Sequence, residues 1–169
     1  TLNGENETYA AGHAVEIDHA LETVESLEQD RILRALTSVV NATLRTNFFQ
    51  KDKNGNYKNY LSIKLDSRKI EELPEPKPFR EIFVYSTRME GIHLRMDQIS
   101  RGGIRWSDRH EDFRTEVLGL MTAQQVKNSV IVPMGAKGGF VVKQPPLEGG
   151  RAALQAEGIE CYKTLVRGM

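Results

Sequence analysis

Apolar positions in the first fifty residues recur at helical spacing. Val15, Ala20, Leu21, Val24 and Leu27 predict a short amphipathic helix, and Ile32, Leu36, Val39, Val40, Leu44 and Phe48 predict a second with one apolar stripe. The period then changes. After the Asn-Gly turn signal in "KDKNGNYKN", Leu61, Ile63 and Leu65 alternate with Ser62, Lys64 and Asp66, which is the two-residue period of a half-buried strand. Pro74, Pro76 and Pro78 can continue neither helix nor ladder, so that stretch predicts an extended linker joining strands. "REIFVYST" and "GIHLRMD" predict a further hairpin around residues 88–91.

Beyond residue 107 helix and strand signals alternate. Asp108, three residues before Glu111, reads as a capping pair, and Phe113, Val117, Leu120, Met121 and Gln124 share one face of a helix ending near Asn128. A strand "VIVP", a glycine-rich loop "MGAKGG", a strand "FVVK", a loop "QPPLEGG" and a terminal helix containing Ile159, Tyr162, Leu165 and Val166 complete the prediction. Several of these strands are too apolar to face water on either side. The expected fold is therefore a layered α/β domain with a mixed β-sheet flanked by helices. An N-terminal helical segment over 1–50 and one compact α/β unit over 51–169 are the expected parts.

Composition narrows the partners. Lysine plus arginine balance aspartate plus glutamate at 23 each in 169 residues, so no global field exists to hold nucleic acid or an acidic membrane. The single cysteine, Cys161, excludes internal disulfides and fits a reducing, cytoplasmic setting, where it reads as a small core residue. No apolar run approaches the roughly 18 residues of a membrane span. The four histidines lack metal-ligand spacing, so no metal is expected. A start without methionine and a helical pattern still running at the end lead to the expectation of a piece of a longer chain.

Three cationic points lie at element boundaries: Arg101 and Arg105 in "SRGGIRW", Lys127 in "AQQVKN" and Lys137 in "GAKGG". Lys127 has two readings, a cation complementing the helix C-terminus or a side chain aimed into a cleft. Lys137 also has two, a solvated turn lysine or a cleft lysine whose glycine neighbours admit a substrate. Two ammonium groups in a partly dry cleft disfavour each other's charge, which would leave one of them free to act as a base. A guanidinium at Arg101 offers a bidentate grip to a carboxylate. The phosphate-loop and dinucleotide-turn signatures are both absent, so no residue here is expected to hold NAD.

Taken together, "RGGIRWSDRHEDFRTEVLGLMTAQQVKNSVIVPMGAKGGFVVK", "DRILRALTSVVNATLRTNFFQ" and "EGIECYKTLVRGM" resemble the large, NAD-dependent bacterial class of glutamate dehydrogenases, over roughly residues 28 to 169. The resemblance implies that Lys137 is catalytic, that Lys127 assisted by Gln124 holds the substrate α-carboxylate, and that Arg101, preceding Gly102 and Gly103, reaches the side-chain carboxylate. It further implies L-glutamate and 2-oxoglutarate as substrate and product, a homo-oligomeric parent, and NAD held by a domain beyond Met169 together with the family's catalytic aspartate. The isolated piece is then expected to be inactive. Smaller members of the family carry lysine where this chain has Arg101, and "PMGGGKGG" where it has "PMGAKGG". The competing reading is a non-catalytic binding or assembly module built on basic glycine-rich loops.

Overall fold

The computed structural model describes the backbone of residues 4–127 and 134–169, and the side chains of residues 12–123 and 134–169. The backbone divides into two compact units, Thr1–Asn41 and Ala42–Met169.

The first unit holds α1 (Gly4–Leu21) and α2 (Leu27–Asn41). Ser26 opens α2: its Oγ accepts from the Gln29 N–H at 3.4 Å and its carbonyl from the Asp30 N–H at 2.9 Å, an N-cap that satisfies donors the first turn leaves orphaned. Glu28 and Asp30 in that turn complement the helix dipole. The α2 stripe is uncovered, with Leu36 58% and Val40 68% exposed. α2 also stops at Asn41, seven residues short of Phe48. Thr43–Thr46 pairs with a neighbouring strand instead, and this tertiary pairing of a threonine-flanked segment overrides the helical period.

In the second unit, β1 (Thr43–Thr46), β2 (Leu61–Leu65), β3 (Arg80–Tyr85), β4 (Met89–Arg95), β5 (Arg101–Trp106) and β6 (Gly135–Val142) form one sheet in the order β1-β2-β3-β4-β6-β5. All neighbours are antiparallel except β5 and β6, which are parallel. The helix α3 (Phe113–Lys127) makes the crossover between that parallel pair, and α4 (Gly150–Gly168) follows β6. The expected mixed α/β layering is what the chain adopts, and the proline segment joins β2 to β3.

Strand alternation divides the core in two. On one face Ile92, Leu94 and Val141 pack against Phe113, Val117, Leu118 and Met121 of α3. On the other, Val84, Met89, Phe140 and Val142 pack against Cys161 and Leu165 of α4. Full burial of a side chain such as Leu165 contributes about 1.5–3 kcal/mol.

Two details of α3 depart from expectation. It begins at Phe113, because Asp112 takes a left-handed φ of 56° and its carbonyl receives the Glu116 N–H at 3.2 Å, so the Asp108–Glu111 pair caps nothing. Leu118, not Leu120, completes the buried face.

Candidate functional site

The segment expected as a glycine-rich loop is an interior strand. Residues 135–142 bond to β4 on one side and β5 on the other, and Lys137 stands opposite Leu94 and Gly103. The glycines serve close packing rather than a bend. A Cβ on Gly139 would lie 2.5 Å from Val117 Cγ2, so α3 can rest on the sheet only where that residue has no side chain. The strand expected over residues 130–133 lies outside the described residues.

"SRGGIRW" is likewise a strand, at the sheet edge, and its two glycines differ sharply. A Cβ on Gly102 would fall 1.2 Å from the Ala136 carbonyl oxygen, which makes glycine obligatory for β5 and β6 to approach. A Cβ on Gly103 would meet nothing within 4 Å. Among the described residues, the space at Gly103, opposite Lys137, is open.

Alternation fixes the faces. Arg105 Nε lies 3.2 Å from Glu116 Oε1, so Arg105, and with it Gly103 and Arg101, belongs to the α3 face. Lys137, paired with Gly103 and two residues before Gly139, belongs to that face as well. Arg101 and Lys137 are diagonal neighbours on adjacent strands, with Cβ atoms on the order of 7 Å apart. Arg101 is exposed and Lys137 half-buried.

The end of α3 arrives at the same place. Because α3 returns the chain from the end of β5 to the start of β6, it runs against both strands. From Val117, above Gly139, the ten residues to Lys127 cover about 15 Å toward the sheet end that carries Arg101 and Lys137. The backbones of Gln124 and Lys127 fall in this last stretch; their side chains lie outside the described residues.

Electrostatics set Arg101 and Lys137 apart. On the same face, Arg114 bonds the buried Glu81 carboxylate through Nε at 2.9 Å and through its terminal nitrogen at 2.7 Å, and Ser67 Oγ donates to Glu81 at 3.2 Å. Glu116 holds Arg105 and accepts from Ser107 Oγ at 2.6 Å. Among the described residues, Arg101 and Lys137 make no ion pair.

Sequence reasoning missed Glu81, Arg114, Glu116 and Ser107, which tie α3 to the sheet. Glu81 had left a signal, an acid at a position of alternating strand that should face the core.

The other face carries different chemistry. His93 is half-buried beside Gly138 and Ile104, and burial, with Arg95 adding, holds its pKa below the ordinary value. Burial also pushes the Cys161 thiol up to about 11, so Cys161 is a core residue as its spacing indicated. A groove of about 510 Å³ lies between α4 and the β5 edge, lined by Ile104, Trp106, Phe140, Leu154, Ile159 and Tyr162 among others. No described helix is long and apolar enough to cross a membrane.

Comparison with known proteins supplies the lineage. Residues 16–169 match the family described as bacterial NAD-glutamate dehydrogenase, catalytic domain. The NAD-specific glutamate dehydrogenase of Pseudomonas aeruginosa is 59% identical over 150 residues, covering 89% of this chain and 9% of that protein. The enzyme of the same name from Mycobacterium tuberculosis is 52% identical over 173 residues, covering 99% and 10%. That from Neurospora crassa is 30% identical over 142 residues, covering 78% and 13%. The chain belongs to the bacterial NAD-glutamate dehydrogenase catalytic-domain family. It spans about a tenth of the length of the two bacterial relatives.

Proposed function

We propose that this chain supplies the substrate-binding and lysine part of an enzyme that oxidatively deaminates L-glutamate to 2-oxoglutarate and ammonia. The observation that carries the proposal is the pair of cations Arg101 and Lys137, without an ion pair among the described residues, on the α3 face beside the open position at Gly103. The names of the relatives support the substrate.

In this reading Arg101 takes the side-chain carboxylate of glutamate as a bidentate partner, while Lys127, helped by Gln124, takes the α-carboxylate. Two fixed carboxylates leave the α-carbon one orientation toward Lys137. Gly102 lets β5 approach β6 and Gly103 leaves room for the ligand backbone. Once the α-carbon has been oxidised to the imine, Lys137 as an amine takes a proton from the attacking water. As an ammonium it then returns that proton to the carbinolamine nitrogen; the C–N bond breaks, the hydroxyl proton passes to the departing ammonia, and the ketone remains.

NAD, when bound, accepts the hydride. The residues of this chain do not fit that group, since none of its strand-to-helix turns carries a G-x-G-x-x-G run.

Lys137→Met in the full-length enzyme is expected to lower kcat by at least about 100-fold with glutamate binding nearly unchanged, as loss of general base catalysis predicts. An unaltered kcat would remove Lys137 from the chemistry. The uncovered stripe of α2 supports a role in the parent's homo-oligomer, which sizing of an Ile32→Glu/Leu36→Glu variant tests: an unchanged assembly rejects it.

A further inference from the structure

The α4 face holds a second group of cations that the proposed deamination does not use. Arg45 on β1, Lys64 on β2, Lys58 in the preceding loop and Arg167 in the last turn of α4 surround a hollow of about 210 Å³. No aspartate or glutamate lines it. The described residues give none of the four an ion pair; Lys58 only sits over the Tyr60 ring at 5.8 Å.

Register makes this arrangement costly. Arg45 and Lys64 are directly opposed cross-strand partners, and like charges so placed repel. Both sit on the α4 side, because Ser62, two residues before Lys64, donates its Oγ to the Gly168 carbonyl. Two other cations of this unit have carboxylates beside them, Arg80 with Asp66 at 3.1 Å and Lys143 with Glu90 at 2.7 Å. Neutral groups complete the lining: Gln50 carries an amide, and Asn47 Nδ2 donates to the Tyr60 carbonyl at 3.0 Å and keeps a second N–H. The carbonyls of Arg167 and Gly168, which would repel an anion, are already engaged by Tyr60 Oη and Ser62 Oγ.

We propose that this hollow binds a small oxyanion of two or more negative charges, through phosphoryl or carboxylate oxygens held by Arg45, Lys64, Lys58 and Arg167. Its volume suits a group of phosphate to small polycarboxylate size. An arginine opposite a lysine gives one planar fork and one point charge, the combination used for multiply charged oxyanions. The hollow lies on the opposite face of the sheet from Lys137, so it is a site separate from the one proposed for glutamate.

The test is calorimetric titration of the full-length protein with inorganic phosphate, pyrophosphate and tricarballylate, at ionic strength fixed with sodium chloride. The same titrations are made on Arg45→Gln/Lys64→Gln and on Arg167→Gln, whose positions are exposed or half-exposed and carry no core packing. At least one probe is expected to bind and to weaken tenfold or more in both variants, while their unliganded melting midpoints stay equal to or above the parent's. A response by the phosphates alone assigns a phosphoryl ligand, and by tricarballylate alone a carboxylate one. Binding of every probe that is absent, or unchanged in the variants, overturns the proposal.

Discussion

The α3 and α4 faces of the sheet use the same strands and treat charge in opposite ways. Toward α4 the central strand presents Gly138, Phe140 and Val142, and the cover is apolar: Leu165 and Cys161 are buried, and Trp106 stacks on Phe140 with centroids 6.0 Å apart. Toward α3 the same strand presents Lys137, Gly139 and Val141. Charged pairs flank the helix there, Arg114–Glu81 on one side and Arg105–Glu116 on the other. Among the described residues, Lys137 and Arg101, beside the open Gly103 position, are the local exception on a face where Arg114 and Arg105 are neutralised. The catalytic role proposed for Lys137 rests on that exception.

The comparison can be broken at three places. Gly102→Ala carries the largest expected effect, since a methyl 1.2 Å from a backbone oxygen separates β5 from β6 and opens both faces together. A loss of roughly 4 kcal/mol or more is expected, read as failure to accumulate folded protein or a collapse of the urea midpoint, whereas Gly103→Ala should fold normally. Equal behaviour of the two alanine variants would refute the β5–β6 register.

Glu81→Ala strands Arg114 on the α3 face alone. Loss of one partner of a buried pair is expected to cost about 3–5 kcal/mol by urea unfolding, with Arg114→Leu in the same chain restoring part of it. No recovery in the double variant would show that Glu81 acts otherwise than through Arg114.

The smallest effect sharpens the α4 side. Folding holds the His93 pKa below its ordinary value, so as pH falls the unfolded chain takes up the proton first. The stability gained by keeping the ring neutral is present above about pH 6.5 and is lost as pH drops through the depressed folded value. His93→Gln should flatten that part of the stability–pH curve, and an unchanged slope would place its origin elsewhere.

Much of this architecture was legible from spacing. Leu61, Ile63 and Leu65 announced β2, and two alternating runs announced the hairpin of β3 and β4, although its turn falls at residues 86–88 rather than 88–91, with Met89, Glu90 and Gly91 already in β4. What stayed hidden has a common cause. β5 and the first half of β6 are strands whose glycines remove the alternation that identifies a strand, and those glycines are there for neighbours, Ala136 and Val117, that only the fold brings near. β1 was masked because Leu44 continues the helical stripe of α2 by coincidence of spacing. Of the candidate site, residue identities came from the resemblance, while the common face of Arg101 and Lys137 rests on register, which no local pattern encodes.

The most direct test is a structure of the full-length enzyme with 2-oxoglutarate bound. The account predicts the ligand on the α3 face over Gly103, with one carboxylate on Arg101, the other on Lys127, and the keto carbon beside Lys137 Nζ. A ligand seated on the α4 face, or one that leaves Lys137 untouched, would contradict it.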